Sequence, residues 1–188
     1  MAQDDRHPSA TAFPFLAPAD YAAAVNLYHD MDSPVGRLRL IGSGDALIGI
    51  RFEHGRDAAR DASGLSRGTN SIIERTRTQL EEYFAGARRE FDLPLEPRGT
   101  EFQRRVWLRL TKIAYGDTTT YGALAHDLGT PNGSRAVGLA NGSNPIPIVI
   151  PCHRVIGADG SLTGFGGGLP IKAMLLDLER GATQPRLL

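Results

Sequence analysis

Cysteine is nearly missing from this chain of 188 residues, and the single one, Cys152, excludes an internal disulfide and a cysteine-rich zinc site alike. Histidine is little more abundant: His7, His29, His54 and His126 lack ligand spacing, so no metal is expected. Long apolar runs are absent as well. The N-terminal stretch opens with Asp4-Asp5 and offers only the proline-broken run Phe13-Pro14-Phe15-Leu16, which fits neither a signal peptide nor a membrane span. These absences together lead us to expect a cytoplasmic protein, in a reducing compartment, with no membrane partner. Net charge is also missing, but its zero hides an asymmetry. Residues 1–97 carry 11 Arg against 15 Asp and Glu, and residues 98–188 carry 8 Arg and 2 Lys against 6, or about −4 and +4. The second half can therefore face a polyanion. What is present in quantity is apolar residue, 41%, enough to bury a core without metals or disulfides.

Residues 1–25, rich in Ala, Pro and Asp without periodicity, read as an irregular arm. Alternation predicts strands over 35–41 and 46–52, joined by the glycine-containing connection Gly42-Ser43-Gly44-Asp45. The polar stretch 53–68 reads as a loop. Asn70 or Ser71 then caps a helix carrying Ile72, Ile73, Thr76, Leu80, Tyr83 and Phe84 at helical spacing, with Gly86 as its stop, and residues 91–95 read as a third strand. Residues 26–97 thus form a small α/β domain, an antiparallel sheet plus a helix, bounded by Pro97-Arg98-Gly99.

From Thr100 onward the pattern is helical. Thr100 caps a helix with Phe102, Val106, Trp107, Leu110 and Ile113 on one face and Gln103 at the capping-box position. A short helix over 121–128, a turn through Gly129-Thr130-Pro131-Asn132-Gly133 and a second short helix, capped by Ser134 and running to Asn141, suggest a helix-turn-helix. Arg135 is the only strong cation at the start of the second helix, among the small residues Ala136, Gly138, Ala140 and Gly142. Close backbone approach with few charges points to a groove rather than a phosphate ridge. A last helix spans 169–180 before Gly181.

Cys152 ends an apolar run, Asn144-Pro145-Ile146-Pro147-Ile148-Val149-Ile150-Pro151, and is followed by His153 and Arg154. A base as next neighbour and two cations within two residues, if His153 is protonated, make an electropositive setting that favours thiolate. Neighbours on an extended strand point to opposite faces, so Cys152 and His153 meet only if the strand ends here. Asn144, biased away from helix by Pro145, reads as a hinge whose side chain bridges the preceding helix and the following strand. Glu179 sits in a last helical turn, unfavourable against the helix dipole, so its purpose is not helix stability.

Pro151-Cys152-His153-Arg154-Val155, Asn144-Pro145, Arg135-Ala136-Val137-Gly138, Tyr121, Gly167-Gly168-Leu169 and Glu179 stand in the order and spacing of the O6-alkylguanine-DNA alkyltransferases, and residues 100–179 closely resemble that family. Residues 32–99 resemble its N-terminal domain more loosely. The resemblance implies a ribonuclease-H-like α/β domain over 26–97 and a mostly α winged helix-turn-helix domain over 98–188. It implies single-use transfer of an alkyl group from O6-alkylguanine, and O4-alkylthymine, in double-stranded DNA to Cys152, without cofactor, because a thioether is no leaving group. His153 would take the thiol proton through a bridging water, and Glu179 would hold its far nitrogen and favour imidazolium. Arg135 would enter the base stack from the minor groove with Ser134, Ala136 and Gly138 beside it at the DNA, and Tyr121 would crowd the flipped phosphate and donate toward the departing purine. Carbonyls of Cys152 and Val155 and the amide of Gly166 would read the base, with Phe165 as a wall. Some members have Tyr and Ser where this chain has Phe165 and Gly166, a departure that bears on the preference for bulky alkyl groups. A monomer is expected, with self-association on DNA open. Three other readings fit less well: a lesion sensor would lack the thiol, a papain-like hydrolase brings its histidine from far along the chain, and a transcription regulator needs no Cys-His-Glu set.

Overall fold

The computed structural model of the chain describes residues 25–54 and 63–181; the arm expected over 1–25 lies outside these except for Val25. Four strands, β1 (Asn26–Met31), β2 (Leu38–Ser43), β3 (Ala46–Phe52) and β4 (Leu65–Arg67), form one sheet in the order β3-β2-β1-β4. The sheet is antiparallel through β1, β2 and β3, as expected, but its edge strand β4 pairs parallel to β1. Both β1 and β4 escape the sequence reading, because β1 alternates Leu27, His29 and Met31 with three polar or half-polar residues and β4 is only three residues long. The β2–β3 connection is tight, with Ser43 paired to Ala46 and Gly44 at φ 55°.

Helix α1 (Ser71–Phe84) begins at Asn70, whose side chain accepts from the Ile73 amide, and packs Ile72, Ile73, Thr76, Leu80 and Tyr83 onto β2 and β3. It comes so close that a Cβ at Gly42 would lie 2.8 Å from Ile72 Cγ2, at the point where the β2–β3 register shifts. The third strand expected over 91–95 reduces to one bridge, Leu95 with Leu47, flanked by hydrogen bonds from the Leu47 amide to Pro94 and from the Glu96 amide to Leu47, both 2.9 Å. Pro94 has no amide to continue the ladder. The same edge of β3 meets the second half of the chain, where the Ile50 amide donates to the Pro145 carbonyl at 2.9 Å.

Helix α2 (Glu101–Leu110) carries the full capping box of Thr100 and Gln103. Its Trp107 is buried and donates from Nε1 to the Ala140 carbonyl at 2.8 Å, tying α2 to α4 (Ser134–Gly142). Burying a tryptophan so completely makes its loss worth roughly 3–5 kcal/mol. Helix α3 (Tyr121–Asp127) is capped by Thr120 and ends at Gly129, φ 71°, so α3 and α4 pack together as the helix-turn-helix. Ser134 is not a cap: Gly133 holds that position at φ −90°, ψ 11°, off the extended backbone from which a side chain reaches back, and Ser134 is already the first helical residue. Two short strands, β5 (Thr119–Thr120) and β6 (Val155–Ile156), pair in parallel. The wing is a turn in which the Gly157 amide donates to the Ser161 carbonyl at 2.8 Å, rather than a regular hairpin. Helix α5 (Leu169–Glu179) closes the fold. No helix among the described residues is long and apolar enough to cross a membrane.

Candidate active site around Cys152

The segment between α4 and Cys152 is a buried loop under local strain. Ile148 adopts φ 73°, a left-handed backbone that costs a β-branched residue roughly 1–3 kcal/mol. Side-chain clamps hold it: Asn144 Nδ2 donates to the Ile150 carbonyl at 2.8 Å, Asn144 Oδ1 accepts from the Ile146 amide at 3.0 Å, and the Ile150 amide closes on Ile146 at 2.9 Å. Asn144 therefore staples the loop to itself. The link expected of it, from recognition helix to site, is made instead by Asn141 of α4, whose Nδ2 donates to the Cys152 carbonyl at 3.3 Å.

Cys152–Arg154 form one turn of 3-10 helix; the strand expected to lead into it is absent, and only an isolated bridge, Pro147 with Ile150, remains of it. With three residues per turn, successive side chains leave the backbone about 120° apart, so Cys152 and His153 need not share one direction. Cys152 is 4% exposed and His153 fully buried.

His153 and Arg154 both turn to Glu179. Its Oε1 accepts from His153 Nε2 at 2.8 Å, Arg154 Nη2 at 2.9 Å and the Tyr83 hydroxyl at 2.8 Å; its Oε2 accepts from Arg154 Nε at 2.8 Å and the Gly116 amide at 3.1 Å. Burial pushes the carboxyl up, but the hydrogen bonds and charges of His153 and Arg154 together outweigh it and hold Glu179 well below the usual carboxylate range. An ionised carboxylate only accepts, so His153 Nε2 carries a hydrogen. His153 Nδ1 has no protein hydrogen-bond partner among the described residues. Burial pulls the imidazole below its ordinary pKa despite Glu179, and the charges of Arg154 and Lys172 pull the same way. Glu179 pulls toward imidazolium, the direction the resemblance implies, but burial outweighs it and the resting ring is neutral.

Lys172, one of only two lysines in the chain and fully buried, is near enough to Cys152 to feel the charge of its thiolate. Its Nζ donates to the carbonyls of Val155 at 2.5 Å and Thr163 at 2.7 Å. Burial brings its pKa down to about 8, against the pull of a Cys152 thiolate. Tyr121 lies beyond, its hydroxyl donating to the Thr163 carbonyl at 3.3 Å and its ring within 4 Å of where a Cβ at Gly138 would stand. Burial and the Cys152 charge push its phenol up. Phe165 packs edge-on against Phe52 of β3 at 5.4 Å and lies 6.4 Å from the His153 ring, while a Cβ at Gly167 would come within 2.9 Å of Phe52. The loop that Gly166 loosens is thus braced by the sheet.

Cys152, His153, Glu179, Tyr121, Val155 and Phe165 therefore gather at one place, together with Lys172, Asn141 and Tyr83, which sequence reasoning overlooked. Of the carbonyls expected to read a base, that of Val155 already accepts from Lys172, and that of Cys152 already accepts from both Asn141 and the Val155 amide. Arg135 and Ala136 are exposed on α4, with Ser134 and Gly138 half-buried, and the same helix reaches the Cys152 turn through Asn141. Lys172 had one signal, a lone charge within the apolar run of α5.

Residues 101–181 match the family model described as 6-O-methylguanine DNA methyltransferase, DNA binding domain, and residues 26–97 match that of its ribonuclease-like domain. The methylated-DNA–protein-cysteine methyltransferase of Mycobacterium tuberculosis is 48% identical over 158 residues, covering 81% of this chain and 92% of that protein. The protein of the same name from Methanosarcina acetivorans is 47% identical over 152 residues, covering 81% and 97%. The crystal structure of Mycobacterium tuberculosis OGT in complex with DNA superposes with a TM-score of 0.77 at 46% identity, over 83% of this chain and 94% of that one. With both halves of the chain matched and relatives nearly half identical over most of it, the chain belongs to the 6-O-methylguanine DNA methyltransferase family.

Proposed function

We propose that this protein repairs DNA by moving an alkyl group from O6 of guanine, and from O4 of thymine, onto Cys152. The observation that carries the reading is the arrangement around the thiol: a buried sulfur with a neutral, acceptor-ready imidazole as chain neighbour and a buried ammonium near enough to feel its charge. The thiol proton passes to His153 Nδ1, and Glu179 holds the imidazolium that forms. The thiolate then attacks the alkyl carbon, the S–C bond forms, the O6–C bond breaks, and its electron pair stays on the purine. Tyr121 supplies a proton to that anion. The thioether left at Cys152 has no route back, so each molecule acts once.

In a duplex the alkyl group is stacked out of reach, and flipping the nucleotide costs a few kcal/mol. Arg135, exposed at the start of α4, fills the stack from the minor groove; Ser134, Ala136 and Gly138 let the helix approach. The partner is alkylated double-stranded DNA, bound by one copy of the protein.

One experiment tests both parts. Intact mass and peptide mapping after incubation with O6-methylguanine DNA should show one added methyl, at Cys152, and none in Cys152→Ser. Arg135→Ala should lose rate strongly on paired duplex, less on mismatched or single-stranded substrate, and hardly at all on the free base. Methyl at another residue, or many lesions repaired per molecule, contradicts the transfer reading; a uniform loss across substrates removes Arg135 from the stack.

A further inference from the structure

Among the described residues, the α/β half makes one polar contact with the His153–Glu179 pair. Tyr83, in the last turn of α1, is wholly buried, its ring set against Phe84, Phe91 and Tyr115 at centroid distances of 5.4, 5.4 and 6.1 Å. Phenylalanine would fill that space equally well. The hydroxyl has a separate reason to be there: it donates at 2.8 Å to Glu179 Oε1, the oxygen that holds His153 Nε2. Every donor on a carboxylate oxygen takes up part of its charge and lowers its pull on the remaining donors.

We propose that Tyr83 is a positioning residue that, through Glu179, sets how readily His153 accepts the Cys152 proton, so that the α/β half tunes the chemistry of the other half. The proposal rests on the alkyl-transfer reading for its consequence, but not for its test. The other groups around the pair are accounted for. Arg154 and the Gly116 amide share the carboxylate, Tyr115 packs beside it with Arg89 over its outer face, and Lys172 of α5 is near enough to feel the thiolate charge. None of these changes in Tyr83→Phe. Oε1 would then serve two donors instead of three, pull harder on His153 Nε2–H and stabilise the imidazolium, and with it the thiolate.

Cys152 is the only cysteine, so iodoacetamide reports its thiolate without any DNA. In Tyr83→Phe the rising limb of alkylation rate against pH should move about half a unit lower, a gain of about threefold on its acid side. Transfer from O6-methylguanine DNA should shift in parallel, and in the Glu179→Gln background the Tyr83 substitution should shift neither. Superimposable profiles with and without the hydroxyl, or a shift that persists in Glu179→Gln, overturn the proposal. Imidazole nitrogen NMR on the unsubstituted protein adds a test that needs no variant: His153 should be singly protonated on Nε2 at pH 7, and a doubly protonated ring there overturns it too. Should the protein take no methyl from DNA while the iodoacetamide profiles still shift, the functional reading fails and the role of Tyr83 stands.

Discussion

Two buried cations flank the Cys152 turn and are satisfied in different ways. Arg154 lies on a carboxylate, with two hydrogen bonds to Glu179 and a third, at 2.6 Å, to the Ile113 carbonyl. Lys172 has only carbonyl dipoles, those of Val155 and Thr163. Arg154 meets a full counter-charge, whereas dipoles alone leave the Lys172 ammonium poised, with a pKa of about 8. The Arg154 side is fixed scaffolding for His153, and the Lys172 side responds to the charge state of the thiol.

The largest effect should come from removing the carboxylate. Glu179→Ala leaves Arg154 buried without a counter-ion and strands the Tyr83 hydroxyl and Gly116 amide, so urea unfolding at pH 7 should show a loss of roughly 3–5 kcal/mol. A loss below about 1 kcal/mol would mean that the two cations are not differently held. Glu179 also ties stability to acid: its folded pKa lies below the ordinary 4.5, so its contribution is complete above 4.5 and is lost as pH falls toward the folded value.

Lys172→Met should cost less, roughly 1–3 kcal/mol, because only two carbonyls lose a donor. Its pH signature has the same sign but lies in the alkaline range. The unfolded chain holds the Lys172 proton up to its ordinary 10.5 while the folded chain releases it near about 8, so folding stability rises with pH across that window. Melting curves between those pH values should show the rise in the unsubstituted protein and a flatter profile in Lys172→Met; equal slopes would place the ammonium in a wetter site than its burial indicates.

The smallest structural effect should be at Tyr121, whose hydroxyl bonds with Thr163, at 3.3 and 3.4 Å, are long. Tyr121→Phe should change stability by less than about 1 kcal/mol. Single-turnover transfer, however, should slow about 100-fold if the phenol gives its proton to the purine. Unchanged transfer would make Tyr121 a packing residue only.

The sequence shows local features well. The caps at Asn70 and Thr100, the α1 face and the helix-turn-helix are written in neighbouring residues, whereas the strand expected before Cys152 is a loop. Features that depend on distant residues are hidden. Strand β1 is held by neighbours on both sides rather than by its own pattern, and β4 needs β1 to exist at all. In the site, Tyr83 and Glu179 are 96 positions apart, and nothing in either stretch predicts that they meet. The electropositive surroundings of Cys152 are real, but Arg154, the cation next in sequence, points to Glu179, while Lys172, twenty positions on, supplies the charge.

The two-residue pairing of β5 with β6 bears on which length changes the molecule can absorb. Thr119 and Thr120 lie opposite Val155 and Ile156, so the start of α3 at Tyr121 and the Cys152 turn are indexed to one another. Adding or deleting a single residue between Thr120 and Tyr121, or between Arg154 and Val155, would rotate one partner to the opposite side of the strand and separate phenol from thiol. The exposed turn from Gly157 to Ser161, only a few residues beyond, carries no such index. Natural variation in chain length should therefore collect in that turn and stop abruptly at Ile156.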